Sequence, residues 1–221
     1  MTFSICVREA GDDGVERFGV AVTTRLPSVG SLSPFVSENG AIATQSLVNV
    51  ELGRRGLSYV DDGLAVGDAL EALLNRDDER AERQVHGVDR EGAFAFTGAD
   101  CREWCGSRTG EGYSVAGNFL TGADVVDAVA AEYEDGDRSR PLAARLVDAL
   151  AAGQAAGGDR REALTVQSAA LRVVTSADDG APAYGNDLRV DASESPVRDL
   201  RETYRMATAE FERAAANYDR E

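Results

Sequence analysis

Lysine is absent from this chain of 221 residues, and histidine occurs once, as His86. Without an ε-amine there is no Schiff-base lysine and no Ser–Lys pair. With one imidazole, any Ser–His–acid arrangement must use His86. That residue stands in Arg83-Gln84-Val85-His86-Gly87-Val88-Asp89, which reads as a strand, and a strand histidine reads as an ordinary packed residue. Cysteine is scarce and odd in number: Cys6, Cys101 and Cys105. An odd count in a leaderless chain argues for reduced thiols. A zinc site built on Cys101 and Cys105 would need two more ligands, so no metal and no cofactor are expected. No apolar run approaches the roughly 20 residues of a membrane span. No basic start or apolar leader precedes the first strand. A soluble, cytoplasmic protein with no membrane partner is therefore expected.

Positive charge is the next shortage. The 23 basic residues, all arginine, face 39 acidic ones, for a formal net charge of −16. Such a surface is strongly solvated and repels itself at low salt. It looks like the surface of an extreme halophile's cytoplasmic protein. A nucleic-acid partner is not expected, because a phosphate-binding face needs clustered cations. Hydrophobic residues make up 43%, enough for an ordered core, and the length suits a single domain over 1–221.

With so few titratable groups, base chemistry falls to a carboxylate or to the α-amine. Phe3, Ile5 and Val7 alternate with Thr2, Ser4 and Cys6, the period of a strand with one buried face. Thr2 is small enough for removal of the initiator Met. A Thr at the head of a packed strand carries nucleophile and base together, its hydroxyl attacking while its α-amine takes the proton. Such an amine titrates near ~7.7–8.0, so a useful fraction is neutral at physiological pH.

The strand ends at the turn Ala10–Gly14, and Arg17–Thr24 returns antiparallel. This hairpin brings Thr23-Thr24-Arg25 beside the start of the chain. Gly40–Ser46 reads as a third strand. Helices follow near Val50–Asp61 and Ala65–Asn75. A second hairpin pairs Gln84–Asp89 with Ala93–Thr97, and a loop holding Trp104 leads to a strand at Tyr113–Phe119. Helices near Gly122–Glu134 and Pro141–Gly153 come next, with Pro141 suited to a first turn. Strands at Thr165–Thr175 and Tyr184–Val190 precede a final helix from Pro196 to Tyr218. Its stripe of Val197, Leu200, Tyr204, Ala207, Phe211, Ala214 and Tyr218 docks on its own domain or on a second copy, as a homodimer or higher homo-oligomer. Strand pairs alternating with helix pairs predict an α+β fold. The expected architecture is a four-layer αββα sandwich of two mainly antiparallel sheets, with an extra C-terminal helix.

The opening Thr2 strand and the return through Thr23-Thr24-Arg25 resemble the N-terminal nucleophile hydrolases, most closely the proteasome β-type subunits. Further motifs are similar to one family, the domain of unknown function 1028, classed as Ntn-hydrolase-like. They are Gly40-Ala41-Ile42-Ala43-Thr44-Gln45, Phe96-Thr97-Gly98-Ala99-Asp100-Cys101, Gly117-Asn118, Gly157-Gly158-Asp159-Arg160-Arg161, Gln167-Ser168-Ala169-Ala170 and Asn186-Asp187-Leu188-Arg189-Val190-Asp191. The resemblance runs through about residue 202. It implies the sandwich and an amide-cleaving Thr2. The proteasome's active-site lysine has no counterpart in a lysine-free chain.

Acyl transfer develops an oxyanion, which needs fixed donors. Asn118 after Gly117 is the first candidate, and Asn186 carries the same two readings, donor or turn residue. Arg25 is read as a group that holds a substrate carboxylate or lowers the amine's pKa. Asp159 and Arg160, in a glycine-rich loop, are candidates to orient amine or substrate. Asp100 matches a family position of unassigned role. Ser28, Ser46 and Ser168 read as turn and sheet hydroxyls, and Cys6 as a buried small hydrophobe. The expected function is cleavage of an amide bond in a small amide or peptide by Thr2. The alternative is a non-catalytic binding or assembly protein on the same scaffold.

Overall fold

A computed structural model of the chain describes residues 2–11, 14–176 and 185–218. Met1, whose removal the Thr2 reading requires, lies outside the described residues. So do Asp12 and Asp13 of the first turn, Tyr184 at the expected start of a strand, and the side chain of Tyr218.

The first hairpin forms as the alternation requires. Strand β1 (Thr2–Ala10) pairs antiparallel with β2 (Glu16–Thr24), and Thr2 stands opposite Thr24. These two strands lie at the centre of a six-stranded antiparallel sheet. It contains β7 (Gly106–Gly110), β8 (Tyr113–Asn118), β9 (Gln167–Thr175) and β10 (Asp187–Ser193), in the order β10-β9-β2-β1-β8-β7. A second antiparallel sheet contains β3 (Pro34–Val36), β4 (Gly40–Ser46), β5 (Arg83–Asp89) and β6 (Ala93–Thr97), in that order.

The period of two sorts side chains into three larger cores and a small fourth of Val22, Val29 and Ala170. Phe3, Ile5 and Val7 face outward from the larger sheet. There they meet Val126 and Val129 of α3 (Asp124–Asp135) and Leu146 and Leu150 of α4 (Leu142–Ala155). Ile42 and Val85 face outward from the smaller sheet onto Leu52 of α1 (Val50–Asp61) and Leu70 and Leu74 of α2 (Val66–Leu74). Between the sheets, Cys6, Phe18 and Val20 meet Val36, Ala41, Ala43 and Val88. Helices therefore cover the outer faces of two facing antiparallel sheets, the layer order αββα. Each fully buried Leu, Ile or Phe contributes about 1.5–3 kcal/mol relative to exposure.

Two strands were not expected. β3 has three residues and starts at Pro34, too short for a period to show. β7 is Gly-Ser-Arg-Thr-Gly, with no apolar residue, and its pattern of half-buried and exposed positions is that of a sheet edge. The last strand runs Asp187–Ser193, later than Tyr184–Val190, and a register shift lies between Val190 and Ser193. The final helix α5 (Pro196–Tyr218) docks its first turns on its own domain through Val197, Leu200 and Tyr204. Met206 and Phe211 further along are exposed. No helix among the described residues is long and apolar enough to cross a membrane.

Candidate active site

Thr2 begins β1 with two cross-strand partners, Thr24 of β2 and Asn118 of β8. Cross-strand pairs share a face, so Thr2, Thr24 and Asn118 all turn toward the space between the sheets. The Thr2 hydroxyl donates to Thr24 Oγ1 at 3.1 Å. Thr2 is 9% exposed and Asn118 1%.

Asn118 is held from the opposite sheet. Its Nδ2 donates to Gln84 Oε1 at 2.9 Å, which leaves a second amide hydrogen. The Gln84 Nε2 donates in turn to the carbonyls of Gly117 and Gly106, at 2.9 and 3.3 Å, and to Thr97 Oγ1 at 2.9 Å. Two carbonyl acceptors fix which end of the Gln84 amide is nitrogen. Gln45 Nε2 therefore donates to Gln84 Oε1, at 2.8 Å, and Gln45 Oε1 accepts from the Ser4 hydroxyl, at 2.8 Å. Ser4 then accepts from His86 Nε2, at 2.7 Å, and His86 Nδ1 accepts from Ser114 Oγ, at 2.8 Å, a hydroxyl it shares with the Gly87 carbonyl at 3.2 Å. One continuous chain of donors thus runs from Ser114 to Gly117.

This assignment makes His86 neutral with its proton on Nε2. Burial drives the imidazole down to about 3, opposed by a backbone hydrogen bond at Ser114. Ser4 and His86 are the nearest thing to a Ser–His pair among the described residues. Both are fully buried, and the far ring nitrogen meets a hydroxyl rather than a carboxylate. A classical hydrolase built on His86 would need an accessible nucleophile and an orienting acid. Cys6, on the same face as Ser4, is fully buried and burial raises its thiol pKa well above the ordinary value. It packs as a small hydrophobe.

The same end of the molecule holds the backbone outliers. Among the described residues the non-glycine positions with positive φ are Ser28, Ser46 and Phe119, at 63, 70 and 54°. Ser28 lies in the loop after β2, Ser46 closes β4 beside Gln45, and Phe119 follows Asn118. For a bulky side chain such a φ is a true outlier and costs of order 1–3 kcal/mol. Phe119 is pinned from two sides: its N–H donates to the Arg102 carbonyl and its carbonyl accepts from Arg160 N–H, at 3.0 and 3.2 Å.

The loop after α4 delivers the polar groups. Gly157 and Gly158 both take positive φ, and a Cβ on Gly157 would lie 2.3 Å from Thr121 Oγ1. This turn sets Asp159 against Leu120 in an isolated bridge. The Asp159 carboxylate is buried and accepts from Arg161 N–H at 2.7 Å and from Arg161 Nη2 at 3.1 Å. Arg25 Nε stands 3.9 Å from Asp159 Oδ2, and Arg25 Nη1 donates to the Leu164 carbonyl at 3.1 Å. The guanidiniums of Arg160 and Arg161 lie over the Phe119 ring, 6.0 and 5.0 Å from its centre.

Thr2, Arg25, Asn118, Asp159 and Arg160 therefore gather at one end of the sandwich. Asp100 is exposed in the loop after β6, where its N–H donates to Ala81 at 2.8 Å. Asn186 does not join them. Its carbonyl accepts from Val173 N–H, five positions along β9 from Ser168, which pairs with Thr24. Five strand residues span about 17 Å. Ser168 serves the β2 exit, accepting from Val29 N–H and donating to the Leu26 carbonyl. Gln45, Gln84, Ser4 and Ser114 were not singled out by sequence reasoning. Their signal was polarity at positions whose strand phase points inward.

The model of the family of unknown function DUF1028 matches residues 2–200. The chain belongs to DUF1028. Among solved structures, this DUF1028 chain is similar to the crystal structure of protein SPO2555 from Silicibacter pomeroyi, of the same family. The two share 26% identity with a TM-score of 0.77, over 94% of this chain and 86% of that one. No curated protein matches.

Proposed function

We propose that this DUF1028 chain is an N-terminal nucleophile amidohydrolase whose nucleophile is Thr2. The observation that carries the reading is the register: Thr2 heads a central strand, flanked by Thr24 and by the firmly held amide of Asn118. The strained residues collected at that end support it, since such strain concentrates at functional sites.

The reading needs Met1 removed, so that Thr2 carries a free α-amine. The amine and the hydroxyl then sit on adjacent carbons. The amine takes the hydroxyl proton as Oγ1 attacks the amide carbon, forming the C–O bond and an oxyanion. The second hydrogen of Asn118 Nδ2 is the donor suited to that oxyanion. Collapse breaks the C–N bond, the ammonium returns its proton to the departing amine, and an acyl-threonine ester remains. Water, deprotonated by the same amine, hydrolyses the ester. Partial burial of Thr2 disfavours the ammonium form and keeps the amine available as a base.

Intact-mass measurement of the native protein, followed by a screen of small chromogenic amides with Thr2→Ala as control, tests this. The expected outcome is a chain lacking Met1 whose turnover disappears in the variant. Turnover by a protein that retains Met1 overturns it. The low exposure of Thr2, 9%, favours a second reading, a non-catalytic binding protein on the same scaffold. That reading expects no labelling of Thr2 by electrophiles that capture N-terminal threonine.

A further inference from the structure

Six of the nine exposed large hydrophobic side chains among the described residues lie at the Thr2 end: Leu26, Leu32, Leu47, Val48, Leu164 and Val166. Leu26 and Leu32 follow β2, Leu47 and Val48 follow β4, and Leu164 and Val166 precede β9. Hydrogen bonds tie them into two banks. Ser168 Oγ donates to the Leu26 carbonyl and Arg25 Nη1 to the Leu164 carbonyl, at 2.6 and 3.1 Å, so Leu26, Leu164 and Val166 form one bank on the larger sheet. On the smaller sheet, buried Arg83 donates to the Leu47 carbonyl at 2.6 Å and fixes the other. Thr2 pairs with Thr24, at the same end of β2 that leads into Leu26.

Scattered exposed leucines mean nothing, but a concentration at one rim of a chain of charge −16 marks a surface that meets an apolar partner. The same rim carries a cation: Arg160 is exposed, lies over Phe119 and has no carboxylate within ion-pair distance among the described residues. We propose that the banks and Arg160 bind an amide joining a sizeable apolar group to a carboxylate-bearing one, such as an N-acyl amino acid. The apolar group lies along the leucines, and the carboxylate meets Arg160. This substrate class rests on the Thr2 reading, but its binding surface is testable without turnover.

The probe is N-decanoylglycine, titrated by calorimetry into the full-length protein beside its methyl ester and N-acetylglycine. Decanoylglycine should bind best. Leu26→Ser with Leu164→Ser, both surface changes, should weaken it by about tenfold through lost apolar contact. Arg160→Met should weaken the free acid by a similar factor and leave the methyl ester unchanged. Thr2→Ala should abolish cleavage and keep the affinity. Binding that the leucine and Arg160 variants weaken as stated, without cleavage by the wild-type protein, leaves the surface standing and sinks the hydrolase. Thr2-dependent turnover of small amides with no saturable decanoylglycine binding does the reverse. Affinity indifferent to both leucines overturns the proposal. So does a wild-type dimer in sedimentation that the leucine variants dissociate, because the banks would then be a self-contact.

Discussion

Gln84 on the smaller sheet and Asn118 on the larger are joined side chain to side chain across the sandwich, at 2.9 Å and with both residues buried. Gln84 has five acceptors or donors around one amide. Gln84→Leu keeps much of the volume and strands the Gly117 carbonyl and the Asn118 amide. Each unsatisfied buried group costs about 1–3 kcal/mol, so urea unfolding should show a loss of about 2–6 kcal/mol. Gln45→Leu shares the network, and the double variant should lose less than the sum of the singles. Strict additivity would show that the donor chain is not cooperative.

How far the sequence speaks is clear from these same residues. The Thr2–Thr24–Arg25 neighbourhood follows from one hairpin, because a turn and two alternating strands determine a register. Asn118 and Asp159 were marked by glycines next to them. The Gln45–Gln84 pair, 39 residues apart, has no local signal, since nothing along a strand says which residue of another sheet will face it. Asn186, also an Asn after glycine, carried the same two readings as Asn118. The pairing of β10 with β9, a long-range choice, puts it far from Thr2.

His86 gives a prediction with a fixed sign. Its folded pKa is about 3, below the ordinary 6.5, so the unfolded chain binds the extra proton between those values. Stability is fully present above about 6.5 and falls as pH drops toward 3, by about 1.4 kcal/mol per unit. Carboxylates of ordinary pKa, about 3.9–4.3, are almost fully ionised above about pH 5.5, and there is no second histidine. The slope between about pH 5.5 and 6.5 therefore belongs to His86. Denaturant midpoints across that window should follow it in wild type and flatten in His86→Gln. Equal slopes in both proteins would sink the assignment.

At the opposite end of β1, Glu9 accepts from Arg145 Nη2, from the Tyr133 hydroxyl and from Arg138. Burial alone would raise its pKa, but the Arg145 hydrogen bond and charge, with those of Arg138, hold it below the usual range. The Arg145 side chain is 2% exposed, and its Nη1 has no hydrogen-bond partner among the described residues. Glu9→Ala leaves that guanidinium buried and unpaired, a loss of about 3–5 kcal/mol. Adding Arg145→Met should recover part of it. A thermal-melt series that shows no recovery would mean the pair is not the reason for the loss.

Ser46 separates strain from packing better than Phe119, whose ring supports two guanidiniums. Ser46 has φ 70° and ends β4 beside Gln45. Glycine adopts that conformation freely, so Ser46→Gly should stabilise the protein, by up to about 1 kcal/mol. If the strain merely tolerates a tight exit from β4, any Thr2-dependent amide cleavage found under the proposed function will be unchanged. If it holds the end of the sheet in the geometry that aims Gln45, Gln84 and Asn118, a relaxed Ser46→Gly will gain stability and lose turnover, the trade expected where strain serves a site. Urea midpoints and initial rates on the same preparation decide between the two. A variant that is less stable than wild type would show that Ser46 is not strained at all.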